Sequence, residues 1–127
     1  MTLREVRDTL ECETFVPDDP ERSVSILFGC ASDLMSDVLA FSRAGAVLLT
    51  GLVTLQTIQT AIIAEIGAVV FVRGKRPAEE VTSLAREKGM PLFSTPYSMY
   101  EACGRLFGAG LGSTMDRVAG FSRDSRG

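Results

Sequence analysis

A chain of 127 residues, 46% of them hydrophobic and 23% charged, has the size and composition of one folded domain with its own core. Its net charge of −3 excludes broad nucleic-acid binding by charge, and the lack of any histidine removes the commonest general base and the usual metal ligand. Three cysteines, an odd number with no leader-like segment ahead of them, are expected to be reduced thiols of a cytoplasmic protein.

Leu3, Val6 and Leu10 recur at helical spacing among charged neighbours, which predicts a short amphipathic helix. Thr14-Phe15-Val16 reads as a short strand that ends in the turn Pro17-Asp18-Asp19-Pro20. A strand over residues 24–28 follows, ended by Gly29, with Ser32 or Asp33 as the N-cap of a helix carrying Leu34, Val38, Leu39 and Phe41 and closed by Gly45.

The next stretch, residues 44–64, has no charge and the length of a membrane span. Gly51, Gln56, Gln59 and the threonines Thr50, Thr54, Thr57 and Thr60 break its hydrophobicity, so no membrane span is expected. It reads instead as a strand over residues 46–49, a turn from Thr50 to Thr54, and a helix through Ile58, Ile62, Ile63 and Ile66 that stops at Gly67. A third unit has a buried strand over residues 68–72, the cationic turn Arg73-Gly74-Lys75-Arg76, and a helix opened by Pro77 at its first position. That helix carries Val81, Leu84 and Ala85 and stops at Gly89. The fourth unit is the strand Pro91-Leu92-Phe93, the turn Ser94-Thr95-Pro96 and a helix through Met99, Ala102, Cys103, Leu106 and Phe107. Beyond Gly108 the glycine-rich stretch and the polar end, Ser122 to Gly127, read as a poorly packed tail.

Strands alternating with helices imply an α/β fold: one three-layer-like domain over residues 1–110, with a mostly parallel sheet of about four to five strands flanked by helices, then a tail over 111–127. In such a sheet ligands bind outside the carboxyl ends of the strands. The turns that converge there hold Gly29, Ser32, Asp33, Thr50, Gly51, Ser94 and Thr95, beside the cationic turn of Arg73, Gly74, Lys75 and Arg76. Three cations before a helix N-terminus, which already favours anions, suit a phosphate-bearing or carboxylate ligand. The plainer role is a solvated turn paired with Glu79, Glu80 or a partner's carboxylate.

Three segments carry a resemblance to a known family. Gly29-Cys30-Ala31-Ser32-Asp33-Leu34-Met35-Ser36-Asp37-Val38, then Gly74-Lys75-Arg76-Pro77 with Glu79-Glu80 and Pro91-Leu92-Phe93-Ser94-Thr95, resemble the DRTGG domain, which is similar to the N-terminal domain of HPr kinase/phosphorylase. The likeness runs over residues 3–107. Where the family has its name-giving residues, this chain reads Thr50-Gly51-Leu52-Val53-Thr54 and, at the later Gly-Gly, Gly74-Lys75. The resemblance implies an accessory domain found beside phosphotransacetylase, pyrophosphatase or kinase modules, often contributing to dimer contacts, with no settled chemistry of its own.

No catalytic constellation appears. There is no Gly-x-x-x-x-Gly-Lys-Ser/Thr loop, since the glycine-rich run from Gly104 to Ser113 lacks the lysine that would reach phosphates. Cys12, Cys30 and Cys103 lack zinc spacing; Cys30 stands before a helix N-terminus, where a thiol is activated, although a small residue in a tight turn is the simpler reading. Asp33 and Asp37, four apart, read as a helix cap and a first-turn charge rather than a catalytic pair. Tyr97 and Tyr100 do not form a stacking platform for bases.

The expectation is therefore a non-enzymatic regulatory or ligand-sensing module of DRTGG type, without cofactor or metal, forming a homodimer through the apolar surplus of Ile58, Ile62, Ile63, Ile66, Ala61 and Ala64. A protein-interaction subunit docking on a metabolic or redox enzyme complex is the alternative. A small enzyme acting on a phosphorylated substrate is a third.

Overall fold

Val47, Leu48 and Leu49, like Val69, Val70 and Phe71, have no more than 2% of their surface exposed, so consecutive residues are covered on both faces of the sheet. That is why these strands are continuous apolar runs rather than alternating ones. A computed structural model describes residues 1–21, 24–115 and 117–121. In chain order it has α1 (Leu3–Thr9), β1 (Glu13–Val16), β2 (Phe28–Ala31), α2 (Met35–Phe41), β3 (Ala46–Thr50), α3 (Leu55–Ile63), β4 (Ala68–Phe71), α4 (Glu79–Glu87), β5 (Leu92–Ser94) and α5 (Met99–Gly108).

The five strands form one sheet in the order β1-β5-β4-β3-β2, with β1 antiparallel to β5 and every other pair parallel. From β2 to β5 the chain steps across the sheet in one direction. Crossovers of one hand then place all three connecting helices on one face. Met35 and Val38 of α2, Ile58 and Ala61 of α3, and Val81 and Ala85 of α4 accordingly share a core with Leu48, Val69, Phe71 and Leu92. On the other face, Leu3 and Val6 of α1 and Ala102 and Leu106 of α5 pack with Val47, Leu49, Val70 and Phe93. The result is the expected single α/β domain of three layers.

Several boundaries differ from the sequence reading, each for a tertiary reason. The strand expected over residues 24–28 lies at Phe28–Ala31 instead. Residues just before it pair with the N-terminus: the Ile26 amide donates to the Met1 carbonyl at 2.7 Å, the Met1 ammonium donates back to the Ile26 carbonyl at 3.0 Å, and Thr2 bridges Ser25. Gly29 therefore lies inside a strand rather than ending one. A Cβ there would stand 3.4 Å from the Leu111 side chain, an ordinary van der Waals contact.

The helix α2 ends at Phe41, ahead of Gly45, and α3 turns out of its helix at Glu65, whose φ of 57° takes the left-handed role expected of Gly67. Pro77 lies outside α4, whose N-cap is the extended residue Ala78. Of the α3 surplus expected to bury between subunits, Ile58, Ala61 and Ile66 are in the domain's own core, and Ile63 is the large residue left 71% exposed. The tail is not loose where it begins. Leu111 is buried, the Gly29 amide donates to the Gly112 carbonyl at 2.8 Å, and the Thr114 amide donates to the Gly29 carbonyl, so this segment lines the outer edge of β2. The polar end from Ser122 to Gly127 lies outside the described residues.

One long-range clamp ties the α1 layer to the far end of the sheet. The fully buried Thr95 hydroxyl donates to the Leu10 carbonyl at 2.6 Å, across 85 residues of sequence, and accepts from the Tyr97 amide. Replacing Thr95 with valine keeps the shape and removes the donor from a buried carbonyl, so Thr95→Val is expected to lower stability by about 1–3 kcal/mol. Urea denaturation checks this; an unchanged midpoint would show the clamp to be without effect.

Candidate functional site

At the carboxyl edge, β4 runs into two successive left-handed residues, Arg73 at φ 61° and Gly74 at φ 67°. Three backbone bonds hold them there: Arg73 N–H to the Tyr97 carbonyl and Gly74 N–H to the Thr95 carbonyl, both 2.7 Å, and Lys75 N–H to the Val72 carbonyl at 3.3 Å. The Ser94 hydroxyl donates to the Lys75 carbonyl at 2.6 Å and completes the fixing of this turn. With its backbone so constrained, Lys75 reaches over the neighbouring strand, and its Nζ donates to the Gly51 carbonyl at 2.8 Å.

Gly51 is the hub. Its amide donates to Asp33 Oδ1 at 2.6 Å, and the Thr50 hydroxyl donates to the same oxygen at 3.1 Å. Arg73 Nη2 and both Asp33 carboxylate oxygens stand 3.5 Å from the place a Gly51 Cβ would occupy, so a larger residue would crowd both charges. Among the described residues neither Arg73 nor Lys75 has a carboxylate oxygen within 4.0 Å. Two cations and one carboxylate thus share a corner without forming an ion pair. Lys75 keeps two of its three N–H donors, and the Arg73 guanidinium is exposed.

The expected site residues divide accordingly. Asp33, Thr50, Gly51, Arg73, Gly74 and Lys75 gather at this corner, whereas the Ser32 hydroxyl is spent on the Leu34 backbone. Arg76 leaves it: its guanidinium pairs with Glu13 at 2.9 Å, with both side chains about half exposed or more. The antiparallel register of Glu13 with Ser94 puts that carboxylate beside the cationic turn, so the partner of Arg76 is Glu13 and not Glu79 or Glu80. The Ser94 and Thr95 hydroxyls are buried and spent on backbone carbonyls, and the Gly29 backbone is bonded to Gly112 and Thr114. Asp33 caps no helix. The N-cap of α2 is Leu34, whose amide donates to the Ser32 hydroxyl, so Asp33 and Asp37 do not share a helix face.

Burial disfavours the thiolate at all three cysteines. Burial pushes Cys30 up to about 11, outweighing any helix-end effect, and Cys12 up to about 12; it also raises Cys103. No group of three or more Cys, Asp or Glu among the described residues could hold a metal ion, and none of the described helices is long and apolar enough to cross a membrane.

A second concavity escaped the sequence reading. Between α5 and the end of β2 lies a groove of about 490 Å³ lined by Cys30, Ala31, Leu49, Gly104, Phe107 and Leu111 among others. Phe107, one of the residues marking the expected helix, is 72% exposed at this groove, and Tyr100 is 89% exposed. The available signal was Gly104, a glycine in a helix interior.

No protein-family model matches the chain, and no curated protein matches it. Among solved structures it is similar to the CBS and DRTGG domains of the regulatory region of Clostridium perfringens pyrophosphatase, a structure complexed with the activator diadenosine tetraphosphate. The TM-score is 0.70 at 18% identity, over 83% of this chain and 45% of that one, so the chain spans less than half the length of the structure it matches. The likeness is one of fold: the α/β architecture is DRTGG-like, and the HPr kinase part of the resemblance is not touched by it.

Two outcomes follow from the site's chemistry. Asp33→Ala leaves the Gly51 amide and the Thr50 hydroxyl without their acceptor, and a loss of about 1–3 kcal/mol in denaturant unfolding is expected with the fold retained. For Cys30, a folded pKa raised from 9.0 to about 11 means the native state holds the thiol proton more tightly. Its contribution is present below about pH 9 and lost as pH rises through about 11. Stability should fall across that window, and Cys30→Ala should flatten the fall in parallel urea titrations.

Proposed function

We propose that this domain is a non-enzymatic regulatory module that senses a small anionic ligand, phosphate-bearing or carboxylate, at the corner formed by Gly51, Arg73 and Lys75. The observation that carries the reading is the pair of cations held over Gly51 without an ion-pair partner among the described residues. Arginine and lysine at the carboxyl edge of a parallel sheet, with spare donors and a rigid backbone turn beneath them, present charge-assisted hydrogen bonds to an incoming anion. The fold's likeness to a regulatory region complexed with a phosphorylated activator supports a regulatory role. A cytoplasmic setting belongs to the same reading. Without histidine or a phosphate-binding loop, the chain has no general base of the usual kind to drive hydrolysis or phosphoryl transfer.

A second reading rests on a separate observation. Leu39 and Phe41 of α2 are each 51% exposed and Ile63 of the adjoining α3 is 71% exposed, which leaves apolar area on the outer helices. It supports a homodimer or an interaction subunit docking on an enzyme complex. Sedimentation separates these: a monomer at tens of micromolar argues against a specific self-interface.

Thermal shift with inorganic pyrophosphate tests the main reading. Binding to the native state is expected to raise the Tm by several degrees at saturating ligand, and added salt should weaken it. The double variant Arg73→Ala, Lys75→Ala should lose the shift while keeping the parent's circular dichroism, and Arg76→Ala should retain it. Equal binding by the double variant would remove the site. No nucleotide or phosphomonoester hydrolysis is expected from the purified chain.

A further inference from the structure

The groove between α5 and β2 has a wall of unusual make. Gly104 lies in the interior of α5, where glycine is disfavoured relative to alanine, and a Cβ added there meets nothing within 4 Å. No contact with a described residue explains the glycine. Its effect is to lower one wall of the groove to bare backbone. Tyr100 is four residues before it and Phe107 three after, so both aromatics flank that bare patch on one helix face, and both are largely exposed. The opposite side is apolar, formed by Ala31, Leu49 and Leu111. The groove's one charged lining residue, Glu101, is held by Arg105 at 2.9 Å, so the groove offers no cation to a phosphate.

The chemistry changes stepwise from this groove to the cationic corner. Ala31 lines the groove, and Asp33 follows two residues on, a reach of roughly 7 Å of extended chain. Asp33 uses Oδ1 for Thr50 and Gly51, while Oδ2 takes no hydrogen bond from any described residue. Beyond Gly51 come Lys75 and Arg73, and the Arg73 amide is bonded to Tyr97, three residues before Tyr100. An apolar slot flanked by aromatics, a carboxylate with a free acceptor, and a pair of cations therefore follow one another.

We propose that the groove receives the flat ring of a ligand whose phosphates sit at Arg73 and Lys75, with a sugar hydroxyl donating to Asp33 Oδ2: a nucleotide or a similar aromatic sugar phosphate. This rests on the anion-site reading and adds the ring and sugar to it. The groove's volume is within the range of small-molecule pockets, roughly 300–1,000 Å³.

The test is calorimetric titration of the full chain with ADP, GDP, CDP and UDP, with inorganic pyrophosphate as the ring-free probe. At least one nucleoside diphosphate should bind about tenfold tighter than pyrophosphate. Gly104→Leu, which fills the slot without striking the domain and replaces glycine with a better helix former, should bring that affinity down to the pyrophosphate level, leave pyrophosphate binding unchanged and melt no lower than the parent. Phe107→Ala, an exposed truncation, should reduce the excess several-fold. If pyrophosphate binds but no nucleoside diphosphate exceeds it, or if the excess survives Gly104→Leu, the ring site is overturned while the anion site stands. If neither probe binds, both are overturned. If the parent sediments as a dimer that Gly104→Leu dissociates, the groove is an interface between copies of the chain and the proposal fails.

Discussion

Covering β3 and β4 on both faces is the constraint on which the rest of the structure depends. The eight residues paired between β3 and β4, residues 47–50 with 68–71, can be dry only if one helix layer packs above the sheet and another below. The parallel run from β2 to β5 supplies the first layer through its own crossovers. The second must come from the chain's two ends, α1 and α5, and this sets a cost: the ends must be pinned back to the sheet. The Met1–Ile26 exchange pins one, and the strip of backbone from Gly112 to Thr114 along Gly29 pins the other.

The same architecture puts the loops after β2, β3, β4 and β5 at one edge. There they are tied to each other more than to solvent. Asp33 from the first loop accepts from Gly51 in the second, Lys75 from the third donates to Gly51, and Ser94 at the end of β5 donates to Lys75. Three loops and the end of β5 are thus linked through side chains and one glycine. An anion bound at the proposed site would meet donors whose backbone is already ordered, so less conformational entropy would be lost on binding than with a free loop.

The fold class was legible because its signal is local. Apolar runs over residues 46–49 and 68–72, each followed by an amphipathic stretch, identify parallel strands with covering helices wherever they pair. Position within an apolar run was not legible: residues 24–28 and 28–31 are similarly apolar, and only pairing of Ile26 with Met1 decides which of them joins β3. The cationic turn was visible as composition, and its left-handed Arg73 was not. Its division between Lys75 and Arg76 depends on β1 folding back beside β5, a contact across more than 60 residues. Asp33 looked like a cap because caps are local; its true partner lies 18 residues on. Phe107 fits the helical spacing that marked α5, yet the neighbouring groove leaves it in water.

The central claim is that Gly51, Arg73, Gly74 and Lys75 form one anion-binding corner. Amide chemical-shift mapping of the labelled chain during a pyrophosphate titration tests it most directly. Saturable shifts are expected to be greatest at the amides of Gly51, Arg73, Gly74 and Lys75, with little change at Arg76 or Glu13. Non-saturating shifts spread over surface arginines and lysines, or a maximum at the Arg76–Glu13 pair, would contradict it.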